Sequence, residues 1–337
     1  MKDYAENGRP APLKIGIVVP ILSDWDSLEK LKSSIVEVEA LRNTNITLIV
    51  VDDGSPQKVI PSANWLASPV RSIHIVRLKA NLSHQRAIAL GLVYVNSAMD
   101  IDAVIVMDGD GEDRPADIVK LLDIHRTQRN HVIVAQRRRR TEGLRFKAGY
   151  AIFKFVFGLM TGKALQFGNF SLIPKDRIPN IVFNPNIWNS YSATVLRSRV
   201  PIKFVETDRG RRYFGRSRMN FPDLVVHGLS AISVYGDIVI SRIIIGLVLL
   251  ATIFVLSVGG VIGLKFFADY YNIPGFFIPG YATNIILSLA NLMASAIFIG
   301  FVGILSLLAS RSNPPAMPHL LLRELSYPVE IIEPADA

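Results

Sequence analysis

The sequence of 337 residues contains no cysteine, which excludes disulfide bonds, thiolate nucleophiles and thiolate metal sites. A bound metal ion would therefore need carboxylate, imidazole or water ligands. Acidic residues are scarce in one region, since residues 126–218 contain twenty lysines and arginines but only four acids. That segment carries a balance of +16 in a chain whose net charge is +9. Such a basic surface attracts phosphates, nucleic acids or an anionic membrane face.

Charged residues are absent from two long stretches nearer the C-terminus. Residues 243–264 and 283–309 are 22 and 27 residues long and contain no Asp, Glu, Lys or Arg, and a helix needs about 20 residues to cross a bilayer. We predict two transmembrane helices there, a buried helical hairpin of a soluble domain being the alternative. Lys265 is the only cation between the stretches, whereas the flanking segments are basic, so both termini are expected to be cytoplasmic. The first ten residues lack an apolar core, so no secretory signal is expected.

Apolar runs in the first half alternate with helical patterns. The runs occupy residues 14–20, 46–51, 72–77, 103–107 and 131–135, and helical patterns occupy residues 24–41, 83–98 and 115–129. Continuous apolar runs are typical of parallel strands covered on both faces. The alternation predicts an α/β fold with a doubly wound, mostly parallel sheet, in which ligands bind beyond the carboxyl ends of the strands.

Carboxylates directly follow two of these runs. Asp52 and Asp53 come after the second run, and Asp108, Asp110 and Glu112 stand at alternate positions after the fourth. A single Asp-Gly pair is typical of a turn, but two acidic clusters at one sheet edge repel each other unless a cation lies between them. If the chain leaves the sheet extended, alternate acids point the same way. The second cluster is therefore expected to bind Mg²⁺ or Mn²⁺, which take oxygen ligands and are completed by substrate phosphates.

Four motifs in this half resemble those of glycosyltransferase family 2, whose enzymes have the GT-A fold. The similarity is greatest to the polyprenyl-phosphate glycosyltransferases, the group that includes dolichyl-phosphate mannose synthase, and it covers most of residues 14–310. The motifs are Val19-Pro20 with Asp24, residues 51–55 (VDDGS), residues 81–91 and residues 107–115 (MDGDGEDRP). The resemblance implies nucleotide binding by Pro20, Asp24, Asp52, Asp53 and Asp108. It implies metal binding by Asp108, Asp110 and Glu112, with Glu112 standing where the family has Gln.

The basic segment carries the rest of the similarity. No glycine loop of the G-x-G-x-x-G or G-x-x-x-x-G-K-[ST] type follows the first run, so phosphate charge is expected to meet a metal and basic side chains. Residues 136–140 resemble the family's G-x-R-x-x-R, whose arginines face the diphosphate and the acceptor phosphate. Residues 168–172 resemble its G-D-F-R-L, with Asn169 in place of Asp, and residues 212–218 resemble its R-x-x-G-E-S-K. The resemblance implies catalytic roles for Asp110, Arg137 and Arg140, and acceptor or phosphate binding by Arg137, Arg140, Asn169, Arg212, Ser217 and Arg218.

The resemblance also implies an activity, that of a metal-dependent, hexosyltransferase-like enzyme. We expect inverting transfer of a sugar from a nucleotide-diphosphate sugar to a polyprenyl phosphate (undecaprenyl or dolichyl phosphate) at the cytoplasmic membrane face, for cell-envelope glycan or glycolipid modification. A phosphate acceptor is already ionised near neutral pH and needs positioning rather than a base, which suits Asn169. The alternatives are a family 2 transferase that glycosylates a lipid or glycan hydroxyl, and a non-catalytic membrane-tethered module that binds nucleotide sugars. The expected partners are the nucleotide-diphosphate sugar donor, the polyprenyl-phosphate acceptor and the lipid bilayer. A homo-oligomer is left open, and nucleic acid is not expected as a partner.

These expectations divide the chain into six parts. Residues 1–219 are expected to form a cytoplasmic GT-A domain, followed by a juxtamembrane helix at 220–240. The two spans, at 241–265 and 283–309, are joined by a short external loop at 266–282, and residues 310–337 form a cytoplasmic tail. The protein is expected to be an integral protein of the bacterial inner membrane. A helix over residues 144–158 places Phe146, Tyr150, Phe153 and Phe157 on one face that suits a membrane surface, packing inside the domain being the alternative. His84 is expected to cap a helix or touch a phosphate. Residues 328–333 resemble a short strand without an assigned function.

Overall fold

A computed structural model describes residues 12–59, 61, 65–137, 154–163, 168–215, 221–273, 280–312 and 317–334. The chain forms two compact units. The first contains residues 1–158, 163–234 and 316–337, and the second contains residues 159–162 and 235–315. The C-terminal segment therefore belongs to the same unit as the first half of the chain.

Eight strands of the first unit form one sheet. They are β1 (Leu13–Ile21), β2 (Thr44–Asp52), β3 (Val70–Arg77), β4 (Ala103–Val106), β5 (Val132–Arg137), β6 (Ser171–Pro174), β7 (Ile202–Thr207) and β8 (Glu330–Ile332). Their order across the sheet is β7-β5-β6-β4-β1-β2-β3-β8. The pairs β1–β2, β1–β4, β2–β3 and β5–β7 are parallel, whereas β6 is antiparallel to β4 and β5, and β8 is antiparallel to β3. The sheet is mixed and mostly parallel, which confirms the predicted fold class.

Helices cover both faces of this sheet. The helices of the first unit are α1 (Trp25–Glu37), α2 (His84–Ala98), α3 (Pro115–Thr127), α4 (Ile178–Val182), α5 (Tyr191–Arg197), α6 (Phe221–Ser233) and α9 (Pro318–Leu325), and those of the second unit are α7 (Gly236–Tyr270) and α8 (Tyr281–Ser312). The first three begin within one residue of their predicted starts. Alternate residues of β1 enter the two cores, since Ile17 packs with α1 and α3 while Val18 packs with α2. Covering on both faces explains why the strands appear as continuous apolar runs.

The position of α2 is set by a glycine. A Cβ at Gly91 would lie 2.7 Å from the side chains of both Val18 and Val51, so only glycine lets the helix approach the sheet this closely. The helix begins at His84. Close packing of α2 on β1 and β2 therefore fixes where His84 lies relative to the carboxyl ends of those strands.

The second unit contains the two long apolar helices. By length and composition, Gly236–Tyr270 and Thr283–Ser306 are candidate membrane spans. In their most apolar windows 0% and 11% of the residues are buried, which does not fit the alternative of a buried hairpin. The helices approach each other at Gly300, where Leu247 occupies the space that a Cβ would need. The predicted span limits, the external loop at 266–282 and the cytoplasmic termini stay predictions.

The predicted juxtamembrane helix at 220–240 is divided between the two units. Helix α6 ends at Ser233 in the first unit, and α7 begins at Gly236 in the second. Helix α6 exposes the apolar side chains of Val225, Val226 and Leu229. The predicted membrane-surface helix at 144–158 lies mostly outside the described residues. Of its four predicted aromatic positions only Phe157 is described, and it is buried, whereas the neighbouring Phe155 is exposed.

Candidate active site at the carboxyl ends of the strands

Two loops carry the predicted acids to one edge of the sheet. Strand β2 ends at Asp52, which pairs with Ile21 at the end of β1. On the other side of β1, the backbone N–H of Met107 donates to the carbonyl of Val18 at 3.2 Å, so the chain after β4 also leaves at the end of β1. Because these strands are parallel, their carboxyl ends share one edge. Both acidic clusters lie there, as the sequence predicts.

Asp52 uses both carboxylate oxygens inside the protein. Its side chain is fully buried, its Oδ2 accepts a hydrogen bond from Arg77 Nη1 at 2.5 Å, and its Oδ1 accepts from the backbone N–H of Ser55 at 3.0 Å. Gly54 follows with a φ of +79°, and a Cβ there would lie 2.7 Å from the backbone N of Asn81. Asp52 and Gly54 therefore shape the Asp52 loop (residues 52–59), and direct contact of Asp52 with a nucleotide stays a prediction.

The other predicted nucleotide residues surround that loop. Asp53 is 4% exposed, and its Oδ1 accepts a hydrogen bond from the backbone N–H of Leu82 at 2.7 Å. Burial raises the pKa of Asp53. Asp24 is exposed at the start of α1, while Pro20 is buried near the end of β1. The backbone N–H of Ser23 donates to Ser55 Oγ at 2.8 Å, which places the Asp24 turn beside the Asp52 loop.

The second acidic cluster lies on a tight turn, which corrects the expectation of an extended chain. We call residues 108–114 the acid loop. Gly111 has a φ of +89°, and a Cβ there would lie 2.8 Å from the Tyr213 ring. Within the turn, Asp113 Oδ2 accepts from the backbone N–H of Asp108 at 3.0 Å, and Asp110 Oδ1 accepts from the backbone N–H of Glu112 at 2.9 Å. The acids therefore follow a turn, so their alternate spacing does not make them point the same way.

Three arginines, which we call the arginine cluster (Arg137, Arg209 and Arg212), pair with the acid loop. Arg209 donates to both oxygens of Glu112, with Nε–Oε2 at 3.1 Å and Nη2–Oε1 at 2.8 Å. Arg137 Nη1 lies 3.4 Å from Glu112 Oε2 and its Nη2 lies 3.2 Å from Asp113 Oδ1. Arg212 Nη2 lies 2.6 Å from Asp110 Oδ2. Two backbone bonds, Gly210 N–H to Glu112 O and Tyr213 N–H to Asp110 O, both at 2.8 Å, hold the segment carrying Arg209 and Arg212 against the loop.

The pKa values of the acids follow from burial and from these pairs. Burial and the neighbouring Asp108 raise the pKa of Asp110, and the same two causes raise the pKa of Asp113 to about 7. Burial acts against the ionised form of Glu112, but the hydrogen bond and charge of Arg209 hold its pKa below the usual value. Glu112 is therefore the carboxylate most firmly kept ionised by the arginine cluster.

A group of polar side chains around His84 adjoins Asp108. His84 Nε2 lies 3.2 Å from Asp108 Oδ1 and 2.9 Å from Asn169 Nδ2. Asn169 Oδ1 accepts a hydrogen bond from Gln85 Nε2 at 3.3 Å, and Gln85 Oε1 accepts from the backbone N–H of Tyr191 at 2.7 Å. Although burial acts against its charged form, Asp108 raises the pKa of His84. The start of α2 thus meets the predicted acceptor residue Asn169 at the edge of the acid loop.

The donor groups of the acid loop fit a divalent cation only in part. Among the residues that the structure describes, no three His, Asp or Glu side chains lie together in a way that could hold a metal ion, so the predicted set of Asp108, Asp110 and Glu112 is not assembled. The Glu112 carboxylate is held by Arg209 instead. Asp108 Oδ1 is buried, and its described polar neighbour is His84 Nε2 at 3.2 Å. Two carboxylates completed by substrate phosphates are a common Mg²⁺ ligand set. Asp108 and Asp110 could form such a set only if Asp110 left its ion pair with Arg212, as Glu112 would have to leave Arg209.

Several predicted residues lie outside the described ranges, and sequence reasoning missed others. Arg140, Ser217 and Arg218 belong to the first group. Arg209 was missed because it precedes the motif at 212–218 and its partner is 97 residues away; its position in a basic run (Arg209-Gly-Arg-Arg212) is the signal that could have indicated it. His84 was left between capping and phosphate contact, and the structure places it against Asp108 and Asn169.

Comparison with known proteins places this geometry in a family. The sequence profile of glycosyl transferase family 2 matches residues 16–198. An uncharacterized glycosyltransferase of Synechocystis is 25% identical over 306 residues, covering 88% of each chain. The bactoprenol glucosyl transferase of Shigella phage SfX and the prophage bactoprenol glucosyl transferase homolog of Escherichia coli are each 23% identical over 230 residues, covering 66% of this chain and 73% of theirs.

A solved structure of similar architecture is glucosyl-3-phosphoglycerate synthase from Mycobacterium tuberculosis, in complex with Mn²⁺, UDP-glucose and phosphoglyceric acid. It is 18% identical, covers 68% of this chain and 79% of its own, and superposes with a TM-score of 0.47. The profile match covers more than half of the chain and includes both acidic motifs. The predicted family and fold class are thereby confirmed, and the chain belongs to glycosyltransferase family 2.

Proposed function

We propose that the protein transfers a sugar, with inversion, from a nucleotide-diphosphate sugar to a polyprenyl phosphate at a membrane surface. The observation that carries the proposal is the arginine cluster, which holds a carboxylate directly beside the Asp108–Asp110 pair at the carboxyl edge of the sheet. This arrangement suits binding of a diphosphate. The relatives named bactoprenol glucosyl transferases and the two candidate membrane spans support a polyprenyl-phosphate acceptor.

The donor diphosphate would bind to the arginine cluster. Three guanidinium groups lie between 2.8 and 3.7 Å from the carboxylate of Glu112, and guanidinium groups pair with phosphate in the same forked geometry as with carboxylate. On donor binding the diphosphate replaces the carboxylate of Glu112. Asp108 and Asp110 would hold a divalent cation, which would neutralise part of the diphosphate charge when bound. Arg209 and Arg212, held to the acid loop through the backbone of their segment, are then positioned on the leaving group.

The acceptor side favours a phosphate over a hydroxyl. A hydroxyl acceptor needs a base to take its proton, and the Asn169 amide cannot serve as one. His84, 2.9 Å from Asn169, is the candidate base that would favour a hydroxyl acceptor. Its Nε2 already lies 3.2 Å from Asp108 Oδ1, and Asp108 raises its pKa against the effect of burial. An ionised phosphate acceptor needs only positioning, which the Asn169 amide and the adjacent His84 ring can provide.

The membrane component of the proposal rests on the apolar helices. A polyprenyl chain is confined to a bilayer, so an enzyme that uses its phosphate has to act at the lipid surface. The candidate spans in α7 and α8 would anchor the protein there. We propose an integral protein with two spans, both termini cytoplasmic, in a bacterial inner membrane.

The test is a transfer assay with two matched acceptors. The purified full-length protein in lipid nanodiscs is incubated with a panel of radiolabelled nucleotide sugars and either undecaprenyl phosphate or undecaprenol, with Mg²⁺, Mn²⁺ or EDTA. We expect transfer to the phosphate acceptor only, with one sugar strongly preferred, and loss of transfer in EDTA. Efficient transfer to the alcohol would refute the phosphate acceptor. Full transfer in EDTA would refute the proposed cation site.

A further inference from the structure

The C-terminal segment of the chain forms the edge of the sheet next to the Asp52 loop. Strand β8 pairs antiparallel with β3, and Glu330 lies opposite Ile75. Before the strand, the backbone N–H of Tyr327 donates to the carbonyl of Arg77 at 2.9 Å, and that of Lys79 donates to the carbonyl of Leu325 at 2.8 Å. The segment is therefore paired with the chain on both sides of Arg77.

Glu330 extends this pairing to charged side chains. Its Oε1 lies 3.1 Å from Lys58 Nζ and 3.8 Å from Arg77 Nε. Arg77 in turn donates from Nη1 to Asp52 Oδ2 at 2.5 Å and from Nη2 to the carbonyl of Val59 at 3.1 Å. Arg77 thus holds the first and last residues of the Asp52 loop, and Glu330 holds Arg77 and Lys58.

Arg77 and Glu330 are mostly buried and incompletely hydrogen-bonded, whereas the Lys58 side chain is 62% exposed. The side chains of Arg77 and Glu330 are 9% and 27% exposed. Among the described residues, Arg77 Nε and Glu330 Oε2 are buried atoms without a hydrogen-bond partner. Buried charges without closed hydrogen bonds are sensitive to the loss of a neighbouring charge. Removing the charge of Glu330 would therefore leave both Arg77 and Lys58 less well compensated.

A simpler explanation for β8 is that it covers the edge of β3, which would otherwise be unpaired. It does not explain why the strand places a carboxylate between Lys58, which belongs to the Asp52 loop, and Arg77, which holds that loop. Edge covering predicts that changes in β8 reduce stability without selecting among ligands. A role in holding the loop predicts a selective effect on the ligand that the loop contacts.

We infer that Glu330 is a positioning residue for the donor, which fixes the Asp52 loop through Arg77 and Lys58 in the conformation that binds the nucleotide. The inference rests on the proposed function, because it requires the loop to contact the donor. Donor affinity then depends on a segment that follows both candidate membrane helices in the sequence.

The experiment compares three variants of the full-length protein in nanodiscs. Glu330→Gln removes the charge, Glu330→Asp retains it, and Glu324→Gln makes the same change at an exposed position of α9. The measurements are the Kd for UDP and for GDP by calorimetry, the KM for donor and for acceptor, kcat, and the melting temperature. For Glu330→Gln we expect the nucleotide Kd and donor KM to rise about threefold to tenfold, with kcat and acceptor KM within about twofold of wild type. Glu330→Asp is expected to recover part of the affinity, and Glu324→Gln to match wild type.

Two results would overturn the inference. The first is a Glu330→Gln variant that binds nucleotide as tightly as wild type. The second is a variant in which donor KM and acceptor KM both rise, kcat falls and the melting temperature is lower. A wild-type protein that binds neither UDP nor GDP would instead refute the proposed function, and this inference with it.

Discussion

Replacing Glu112 by Gln tests whether the arginine cluster is a diphosphate site now filled by a carboxylate. Glu112 accepts two hydrogen bonds from Arg209 and lies near Arg137 and Arg212. In the variant, a neutral amide replaces the anion at the same position. A diphosphate would then enter the cluster without displacing a negative charge.

The magnitude follows from the exposure of the pair. A charge-assisted hydrogen bond contributes about 1.5–3 kcal/mol when buried, and an exposed ion pair contributes about 0–1 kcal/mol. The side chain of Glu112 is 14% exposed and that of Arg209 is 26% exposed, so an intermediate value of about 1–2 kcal/mol is appropriate. Diphosphate binding is expected to tighten by the corresponding factor of about 5–30. The ligand-free variant should melt at a lower temperature, because three guanidinium groups lose their anion.

The assay is calorimetric titration with pyrophosphate and with UDP and GDP in EDTA, where a cation cannot contribute. Glu29→Gln, at an exposed position of α1, is the matched control and should bind as wild type does. Unchanged or weaker binding of pyrophosphate by Glu112→Gln would refute the exchange of carboxylate for diphosphate.

Three further predictions concern the same edge of the sheet. Asp110→Ala should lower cation-dependent transfer by about a hundredfold or more, as measured by initial rates across a Mn²⁺ titration; near-wild-type rates would exclude Asp110 from the cation site. The pKa of Asp113 is raised from 3.8 to about 7, so between these pH values the folded state binds more protons than the unfolded state. The stability of the wild-type protein should therefore fall as pH rises from about 4 to 7. The melting temperature of Asp113→Asn should fall less over this range than that of wild type. Gly54→Ala places a Cβ at a residue with a φ of +79° and against the backbone of Asn81. It should lower the free energy of unfolding by about 1–3 kcal/mol and weaken nucleotide binding. Gly259→Ala, at a position with open space around it, should leave both quantities unchanged.

The strands that the sequence predicts are those covered on both faces. In β1 and β2 neighbouring residues enter opposite cores, so residues 15–21 and 48–51 form continuous apolar runs that are easy to recognise. Strand β6 has only four residues, and β7 has exposed and half-buried positions except at Thr207. Both lie in the basic segment, where local composition favours no strand. They form because β4 and β5 provide partners, which periodicity alone does not reveal.

The site could be predicted as far as residue spacing determines it. The positions of Asp52 and Asp108 follow from strands that end in acids, and both acidic loops lie at the predicted edge. The directions of the acid-loop side chains depend on the left-handed turn at Gly111, which is one backbone angle and leaves no periodic pattern. Contacts such as Arg209 with Glu112, and His84 with Asn169, join residues 97 and 85 positions apart, so they follow from the folded sheet rather than from any local motif.

The central claim is that the acceptor is a phosphate and that the sugar is attached to it. Mass spectrometry of the lipid product formed by the purified protein from undecaprenyl phosphate and its preferred nucleotide sugar tests this most directly. We expect one product, the lipid bearing a single phosphate and a single sugar, with the nucleoside diphosphate released in equal amount. A product with two phosphates, or a sugar attached to a lipid hydroxyl, would contradict it.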